Sequence, residues 1–322
     1  MGRYLLRRLG FALLLVLVVS SAALLLTRLA PGDFTTDQAF LLDPAARERL
    51  RAELGLDRPI AVQYLAWLRG AVQFDFGRSL LYSRPVSTLL SERALNTAVL
   101  ATAALLLATA IGIPLGIYSG SRTRGPGRSI VRVLSVLGIS VPPLIGSLML
   151  VFIAARTGWF PVGGMTSSGG LDLSWGQWLA DLARHLPVPA LALGIPLAAS
   201  LERLQSQAIA AASQERFVAA SRARGLERTQ ALLRHAWPVS LRPVLGLYGV
   251  MIASLFSGSF IVEVVTSWPG LGRLMFEALR ARDLFLVAGC AATGALFLAL
   301  GTLVADLLLA YTDPRVGSGE RA

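Results

Sequence analysis

The chain contains no lysine. A Walker A phosphate loop requires one, and so does Schiff-base chemistry, so neither is built into this polypeptide. It has a single cysteine, Cys290, set inside an apolar run, which excludes an intramolecular disulfide. Its two histidines, His185 and His235, stand far apart and make no metal-ligand spacing with each other or with Cys290. They read as ordinary surface or interface residues. Charge is also scarce. Only 15% of the residues are charged, against about a quarter in soluble globular domains.

Apolar sequence is what abounds. The chain has 322 residues, is 54% hydrophobic and has a mean hydropathy of +0.62. Its apolar residues fall in blocks of about 20, the length at which a helix crosses a bilayer core. The fold class expected is an all-α membrane protein. The net charge of +11 is supplied by arginine alone. The arginines cluster between the apolar blocks, which fits the positive-inside bias of membrane proteins and not nucleic-acid binding.

Six spans are expected, at about residues 9–26, 95–118, 130–155, 186–204, 244–265 and 284–311. The first is too long for the 7–15 apolar residues of a secretory signal and reads as a retained helix. The third is interrupted by Pro142 and Pro143, and the fourth contains Pro187, Pro189 and Pro196. In the second, Gly112, Gly116 and Gly120 recur every four residues, a spacing that lets helices within one chain pack closely. This divides the chain into residues 1–29 (first span), 30–94 (a cap), 95–311 (a five-helix core) and 312–322 (a tail).

The cap is not a linker, because it has apolar periodicity. A helix is expected over 43–54, another over 59–70, a turn at Phe74-Asp-Phe-Gly77, and a third short helix from Pro85. Arg3, Arg7, Arg8, the basic turn around Gly125-Pro-Gly127 and the seven arginines from Arg203 to Arg242 share one side of a six-span arrangement. That side is expected to be cytoplasmic, with both termini on it and the cap outside. Trp159, Trp175 and Trp178 suit an interfacial loop.

One loop stands out, at residues 205–240. It reads as a helix up to Ala223, a break at Gly225, and a second helix closed by Pro238. Gly225 suits the left-handed position that ends a helix. A rigid helical hairpin at the membrane surface is a docking device for another protein. The acids inside spans are few: Glu202, Glu263 and Asp306, each near an end. Glu263 invites a sharper reading, in which it pins the following segment through Arg273 or the backbone N–H groups of residues 270–272 and shapes an outer gate with Pro269, Gly270, Gly272 and Arg273. The plain alternative leaves it in headgroup water.

Motifs along nearly the whole chain resemble one family. They include Arg7-Arg8-Leu9, Leu29-Ala-Pro-Gly-Asp33, Leu56-Asp-Arg-Pro59, Gln63-Tyr64, Phe74-Asp-Phe-Gly-Arg-Ser79 and Arg84-Pro-Val86. Further along come Asn96-Thr97, Gly158-Trp-Phe-Pro161, Arg222-Ala-Arg-Gly225, Leu233-Arg-His-Ala236, Trp268-Pro-Gly-Leu-Gly-Arg-Leu274, Ala281-Arg-Asp283 and Asp313-Pro-Arg315. In order and spacing they resemble the transmembrane permeases of ABC importers, in the dipeptide, oligopeptide and nickel branch. Ala219 stands where the family's coupling pattern has a glutamate, and Arg216 stands where an acid is common.

The resemblance implies a type I importer permease fold in a bacterial plasma (inner) membrane. It implies as partners a second homologous permease, two ATPase subunits and an extracytoplasmic solute-binding protein, besides membrane lipid. No nucleic acid is expected. ATP and magnesium would be bound by the ATPase subunits, with no cofactor in this chain and no enzymatic activity of its own. It implies an ATPase-coupling role for Phe217, Val218, Ala219, Ala220, Ser221, Arg222, Ala223, Arg224, Gly225 and Leu226. The cargo would be short peptides or a related small solute. A self-sufficient secondary transporter or channel is the alternative. It would need a mid-membrane relay of ionisable groups, which the apolar runs do not offer.

Overall fold

The structure, a computed structural model, describes residues 2–32, 34–37, 44–53, 55–122, 124–167 and 174–312. Among these residues the regular secondary structure is all helix, with one isolated β-bridge between Arg78 and Pro85. The helices are α1 (Gly2–Leu29), α2 (Phe34–Asp37), α3 (Pro44–Glu53), α4 (Ile60–Val72), α5 (Val86–Ser121), α6 (Pro126–Ser140), α7 (Pro143–Thr157), α8 (Trp175–His185), α9 (Pro187–Ala212), α10 (Arg216–Ala223), α11 (Arg228–Ala231), α12 (Trp237–Val265), α13 (Leu271–Arg280) and α14 (Leu284–Thr312). Asp33, Asp43, Leu54 and the Asp313-Pro-Arg315 motif lie outside the described residues.

Four stretches are single helices long and apolar enough to cross a membrane: Arg7–Leu29, Val86–Ser121, Arg228–Val265 and Leu284–Leu307. Two bent pairs, α6 with α7 and α8 with α9, bring the total to six if each pair is one span. The third expected span is therefore not one rod. Pro143 starts α7, and the break at Val141–Pro142 turns the chain by 106°. A proline ring disfavours helical backbone in the residue before it, so two successive prolines stop α6 cleanly. Pro196, by contrast, stays inside α9. That helix continues to Ala212 and places Glu202 well within it.

Two other expectations give way. The short helix expected from Pro85 and the span expected from Leu95 are one helix, α5. The residues between them, Ser91-Glu-Arg-Ala94, include good helix formers and no breaker. Pro238 does not close the second helix of the loop at 205–240. A π-helical turn at Leu232–Ala236 precedes it, and α12 runs on from Trp237. The wider turn shifts the carbonyls that a proline ring would strike, so helix continues through the proline.

The chain divides into two compact units. The first comprises Met1–Ala98 and Pro269–Ala299. There, α4 packs on α1 through Trp67 and Leu24, with Leu284 and Ala288 in the same cluster. A second cluster joins Val86, Leu89 and Leu90 of α5 to Leu271, Leu274 and Ala278 of α13 and to Leu286, Val287 and Cys290 of α14. In the turn ahead of α5, the Gly77 N–H donates to the Asp75 carboxylate.

The second unit comprises Val99–Trp268 and Leu300–Ala322. At its centre, α9 packs against α5, α6, α7 and α12. The glycine row of α5 sets the closest approach. A Cβ on Gly112 would meet the Ala198 carbonyl oxygen at 2.6 Å, one on Gly116 would meet that of Glu202 at 2.8 Å, and one on Gly120 would meet that of Ser206. Four-residue spacing on α5 thus faces four-residue spacing on α9. Only hydrogen at these positions lets the backbones approach so closely.

Candidate coupling helix and pinned loop

The hairpin at 216–231 is built from its glycine outward. Gly225 has φ +96°, in the left-handed region. Its N–H donates to the Arg222 carbonyl at 2.9 Å, and the Leu226 N–H donates to the Ser221 carbonyl at 3.3 Å. These are the two bonds of a Schellman stop, which satisfy carbonyls that the end of α10 would otherwise leave open. Leu226 then folds back onto a small core of Ile209, Ala212, Val218, Ala231 and Ala236. That core joins the last turn of α9 to α10, α11 and the π-turn.

Two polar ties fix the base of the hairpin. The Gln205 side chain donates to the Ser240 hydroxyl at 2.8 Å, linking α9 to α12. The Arg228 guanidinium donates to the Ser121 carbonyl at 2.9 Å, a cation at the C-terminal end of α5.

The eight residues of α10 make a helix about 12 Å long. Val218 and Ser221 face inward and are buried. Arg216, Ala219, Ala220 and Ala223 form the opposite face and are exposed, with Phe217 and Arg222 on its flanks and Arg224 at its end. Apart from Arg216, the side chains on this face are the methyl groups of alanines, so another protein's surface can come close to the backbone, with Phe217 and three arginines to orient it. Of the residues expected here, Val218 and Ser221 hold the helix, Gly225 and Leu226 stop it, and the rest are outward.

The segment from Pro269 into α13 is pinned in a different way. Within the first unit, Asn96 donates its side-chain amide to the Pro269 carbonyl at 2.8 Å. The Leu271 N–H donates to the Thr97 hydroxyl at 2.8 Å, which satisfies one of the open N–H groups at the start of α13. Arg273 donates through Nε to Glu277 at 3.0 Å, and the Tyr82 hydroxyl donates to the same carboxylate at 2.5 Å. Gly270 is buried, and Pro269 and Gly272 are half-buried. Burial, with the carboxylate beside it, pushes the Tyr82 phenol up to about 12.

Glu263 belongs to the second unit, near the end of α12, and is fully buried. Headgroup water does not reach it. His185 is buried too, with Nδ1 2.8 Å from the Asp181 carbonyl, so it is not a surface residue. Among the described residues no group of three or more His, Cys, Asp or Glu could hold a metal.

Sequence reasoning singled out neither Tyr82 and Glu277 nor the roles of Ser79 and Asp283. The Asp283 carboxylate accepts from the Ser79 hydroxyl at 2.6 Å, the Leu81 N–H at 3.0 Å and the Leu286 N–H at 3.2 Å. An aspartate one residue before a long apolar run is a helix-start signal that could have marked it. Glu202, buried in α9, accepts from Ser119 of α5 at 2.5 Å. Nothing in the spacing of that pair announces it.

Residues 112–318 match the family described as binding-protein-dependent transport system inner membrane component, and residues 1–98 match the N-terminal part of such membrane components. The chain is 31% identical to the oligopeptide transport system permease protein AppB of Bacillus subtilis (strain 168), over 98% of this chain and 99% of the relative. It is 34% identical to a putative peptide permease protein of Brucella ovis and 30% identical to a probable peptide ABC transporter permease protein of Sinorhizobium fredii, with the same coverage. A family match that spans the α9–α12 core and the α10 hairpin, together with relatives aligned end to end, shows that this chain belongs to the inner-membrane permease components of binding-protein-dependent transport systems.

Proposed function

We propose that this permease pairs with a homologous second permease to form the path by which an ATP-driven importer moves short peptides. Support for the cargo comes from the relatives, whose names are those of peptide and oligopeptide permeases. A solute-binding protein delivers the peptide on the outer side, where the segment holding α3 and α4 faces. Two separate ATPase subunits bind and hydrolyse ATP, in keeping with a chain that has no lysine for a phosphate loop. Both termini are cytoplasmic, as the arginine distribution favours.

The observation that carries this reading is the α10 hairpin. It is stopped by a full Schellman motif and shares a core with the end of α9 and the start of the α11–α12 helical run. A push on α10 therefore moves two membrane helices and is not absorbed by a flexible loop. When ATP draws the two ATPases together, the contact at α10 differs between the inward and outward states. Only such a differential contact can bias the equilibrium between them.

The test uses the complete importer. Arg222→Glu and Phe217→Asp change exposed residues on α10, so membrane insertion should persist. Labelled tripeptide uptake should fall at least tenfold, and the ATPase subunits should separate from the permeases during purification. Wild-type uptake with full ATPase retention in both variants would overturn the assignment of α10.

A further inference from the structure

Helix α4 lies at membrane depth without being long enough to cross. Its 13 residues span about 20 Å, short of the ~30 Å of a bilayer core. It packs on α1, whose Arg7–Leu29 stretch has the length and apolarity of a span. The Tyr64 and Ser21 hydroxyls are 2.9 Å apart, and Trp67 packs with Leu24. Ser21 stands two turns before Leu29, about 12 Å below the end of α1. Just ahead of α4, the Leu56 carbonyl accepts from the Arg28 guanidinium at 2.6 Å. These contacts set α4 beside the last turns of α1, within one leaflet.

The surface of α4 suits that depth. Gln63 and Trp67 are buried. The opposite face carries Ala61, Val62, Leu65 and Ala66, all exposed, with Val62 at 46% and Leu65 at 53%. Residues 60–68 hold no charge, and the exposed Arg58 and Arg69 flank them. An in-plane interfacial helix has this pattern, because its apolar face sinks about 5–10 Å while arginine stems carry their charge back to the headgroups. The neighbouring α3 is the opposite case. Five of its ten residues are charged, as befits a helix in water. Lipid fits the α4 face better than another membrane helix does. Where helices of this chain meet closely, as α5 meets α9, glycines let the backbones approach. The branched side chains of Val62 and Leu65 hold a neighbouring backbone away and suit mobile acyl chains.

We propose that residues 60–68 of α4 are an in-plane lipid anchor in the leaflet at the C-terminal end of α1. Val62 and Leu65 lie among the glycerol ends of the acyl chains, and Arg58 and Arg69 meet lipid phosphates. Val72, beyond Arg69 at the end of α4, stands in water. The anchor holds one end of the segment that runs into the turn at 74–79 and so into α5. The inference rests on α1 crossing the bilayer. It is independent of the cargo and of the coupling role of α10.

Spin labels on the complete importer in phospholipid vesicles read this out. Val62→Cys, Leu65→Cys and Val72→Cys are each labelled with a nitroxide in a Cys290→Ala background. Collision with oxygen, which concentrates in lipid, should exceed collision with a water-soluble nickel chelate at least twofold at residues 62 and 65. At residue 72 the nickel chelate should win. Water-like values at 62 and 65 would overturn the proposal. Protection from both reagents there would mean a protein neighbour, such as the second permease, and would also overturn it. Adding the loaded binding protein should leave both values unchanged, and a fall in both would make this its docking face instead. The wild-type importer gives a check free of substitutions. A phospholipid with a diazirine near the glycerol end of one acyl chain should crosslink within residues 60–68, and crosslinks to α1 with none to α4 would refute the anchor.

Discussion

The hydroxyl of Ser79 and the carboxylate of Asp283 lie 2.6 Å apart across 204 residues of sequence. Asp283 also caps α14 through the Leu286 N–H and holds the Leu81 N–H, while the Ser79 oxygen accepts from the Tyr82 N–H. One buried carboxylate thus fastens the turn ahead of α5 to the start of the last helix. Two sequence motifs far apart, Phe74-Asp-Phe-Gly-Arg-Ser79 and Ala281-Arg-Asp283, are the two halves of one latch.

Removing the latch is therefore expected to be costly. Asp283→Ala leaves a buried hydroxyl and two N–H groups without their acceptor, and each buried donor left unsatisfied costs about 1–3 kcal/mol. Ser79→Ala removes one donor and should cost about 1–2 kcal/mol. Thermal unfolding of the purified importer should rank the variants in that order. Asp283→Ala should also expose residues 74–84 to limited proteolysis. Equal melting temperatures for wild type and Asp283→Ala would contradict the latch.

Tyr82 gives a pH dependence with a defined sign. Its phenol is pushed above the usual value to about 12 by burial and by the bond to Glu277. The folded state thus holds the phenolic proton more tightly than the unfolded chain does. The stabilisation is complete below about pH 10, the ordinary tyrosine value, and is lost as pH rises from there through about 12. Tyr82→Phe should remove this dependence. It should also cost about 1–2 kcal/mol, the lower part of the range for a bond to a charged group, because Glu277 is partly exposed. Tyrosine absorbance at 295 nm, followed against pH in both proteins, checks it.

The glycine row of α5 predicts a graded response. Gly116→Ala places a methyl group against the Glu202 carbonyl and the Gln205 side chain. It should cost about 1–3 kcal/mol as overpacking. Gly116→Leu should separate α5 from α9 and lower the yield of folded permease. Gly246→Ala, where a Cβ meets nothing within 4 Å, is the control and should be neutral. If all three melt alike, the row is not a packing device.

The sequence made some of this architecture legible and not the rest, for physical reasons. Apolar runs of bilayer length announce spans, because few other structures need them. A Gly after an amphipathic stretch announces a stop, and Gly225 adopts the expected conformation. Breaks at proline are less legible. Pro142-Pro143 turns the chain by 106°, Pro196 and Pro243 sit inside helices, and Pro238 follows a π-turn. Neighbouring helices and local rewinding decide which prolines break, and neither is a local property. The polar pins were hidden for the same reason. Asn96 with Pro269, Ser119 with Glu202 and Gln205 with Ser240 are tertiary pairs with no periodic signature.

Gly225 offers a test of coupling that is independent of charge. At φ +96° a β-branched residue is strained, although no neighbour lies within 4 Å of its Cβ. Gly225→Val should cost about 1–2 kcal/mol or unwind the last turn of α10. Gly225→Asn, which tolerates left-handed backbone better, should be milder. ATP hydrolysis stimulated by the loaded binding protein should fall in the order wild type, Asn, Val. The amount of permease in the membrane should stay constant. A reversed order would separate the Schellman stop from coupling.

Orientation has its own test, and the buried residues dictate where the probes go. Ser221 is 1% exposed and a poor labelling site, whereas Ala220 beside it is exposed and faces away from the hairpin core. On the cap side, Val72 is 76% exposed. Cys290 is buried in α14, so Cys290→Ala removes the background thiol at the cost of a small cavity. In that background Ala220→Cys should react with a membrane-impermeant maleimide only after the cells are opened, and Val72→Cys should react in intact spheroplasts. The arginine asymmetry between the two sides motivates this expectation. Labelling of Ala220→Cys from outside would invert the whole arrangement and place α10 out of reach of any ATPase.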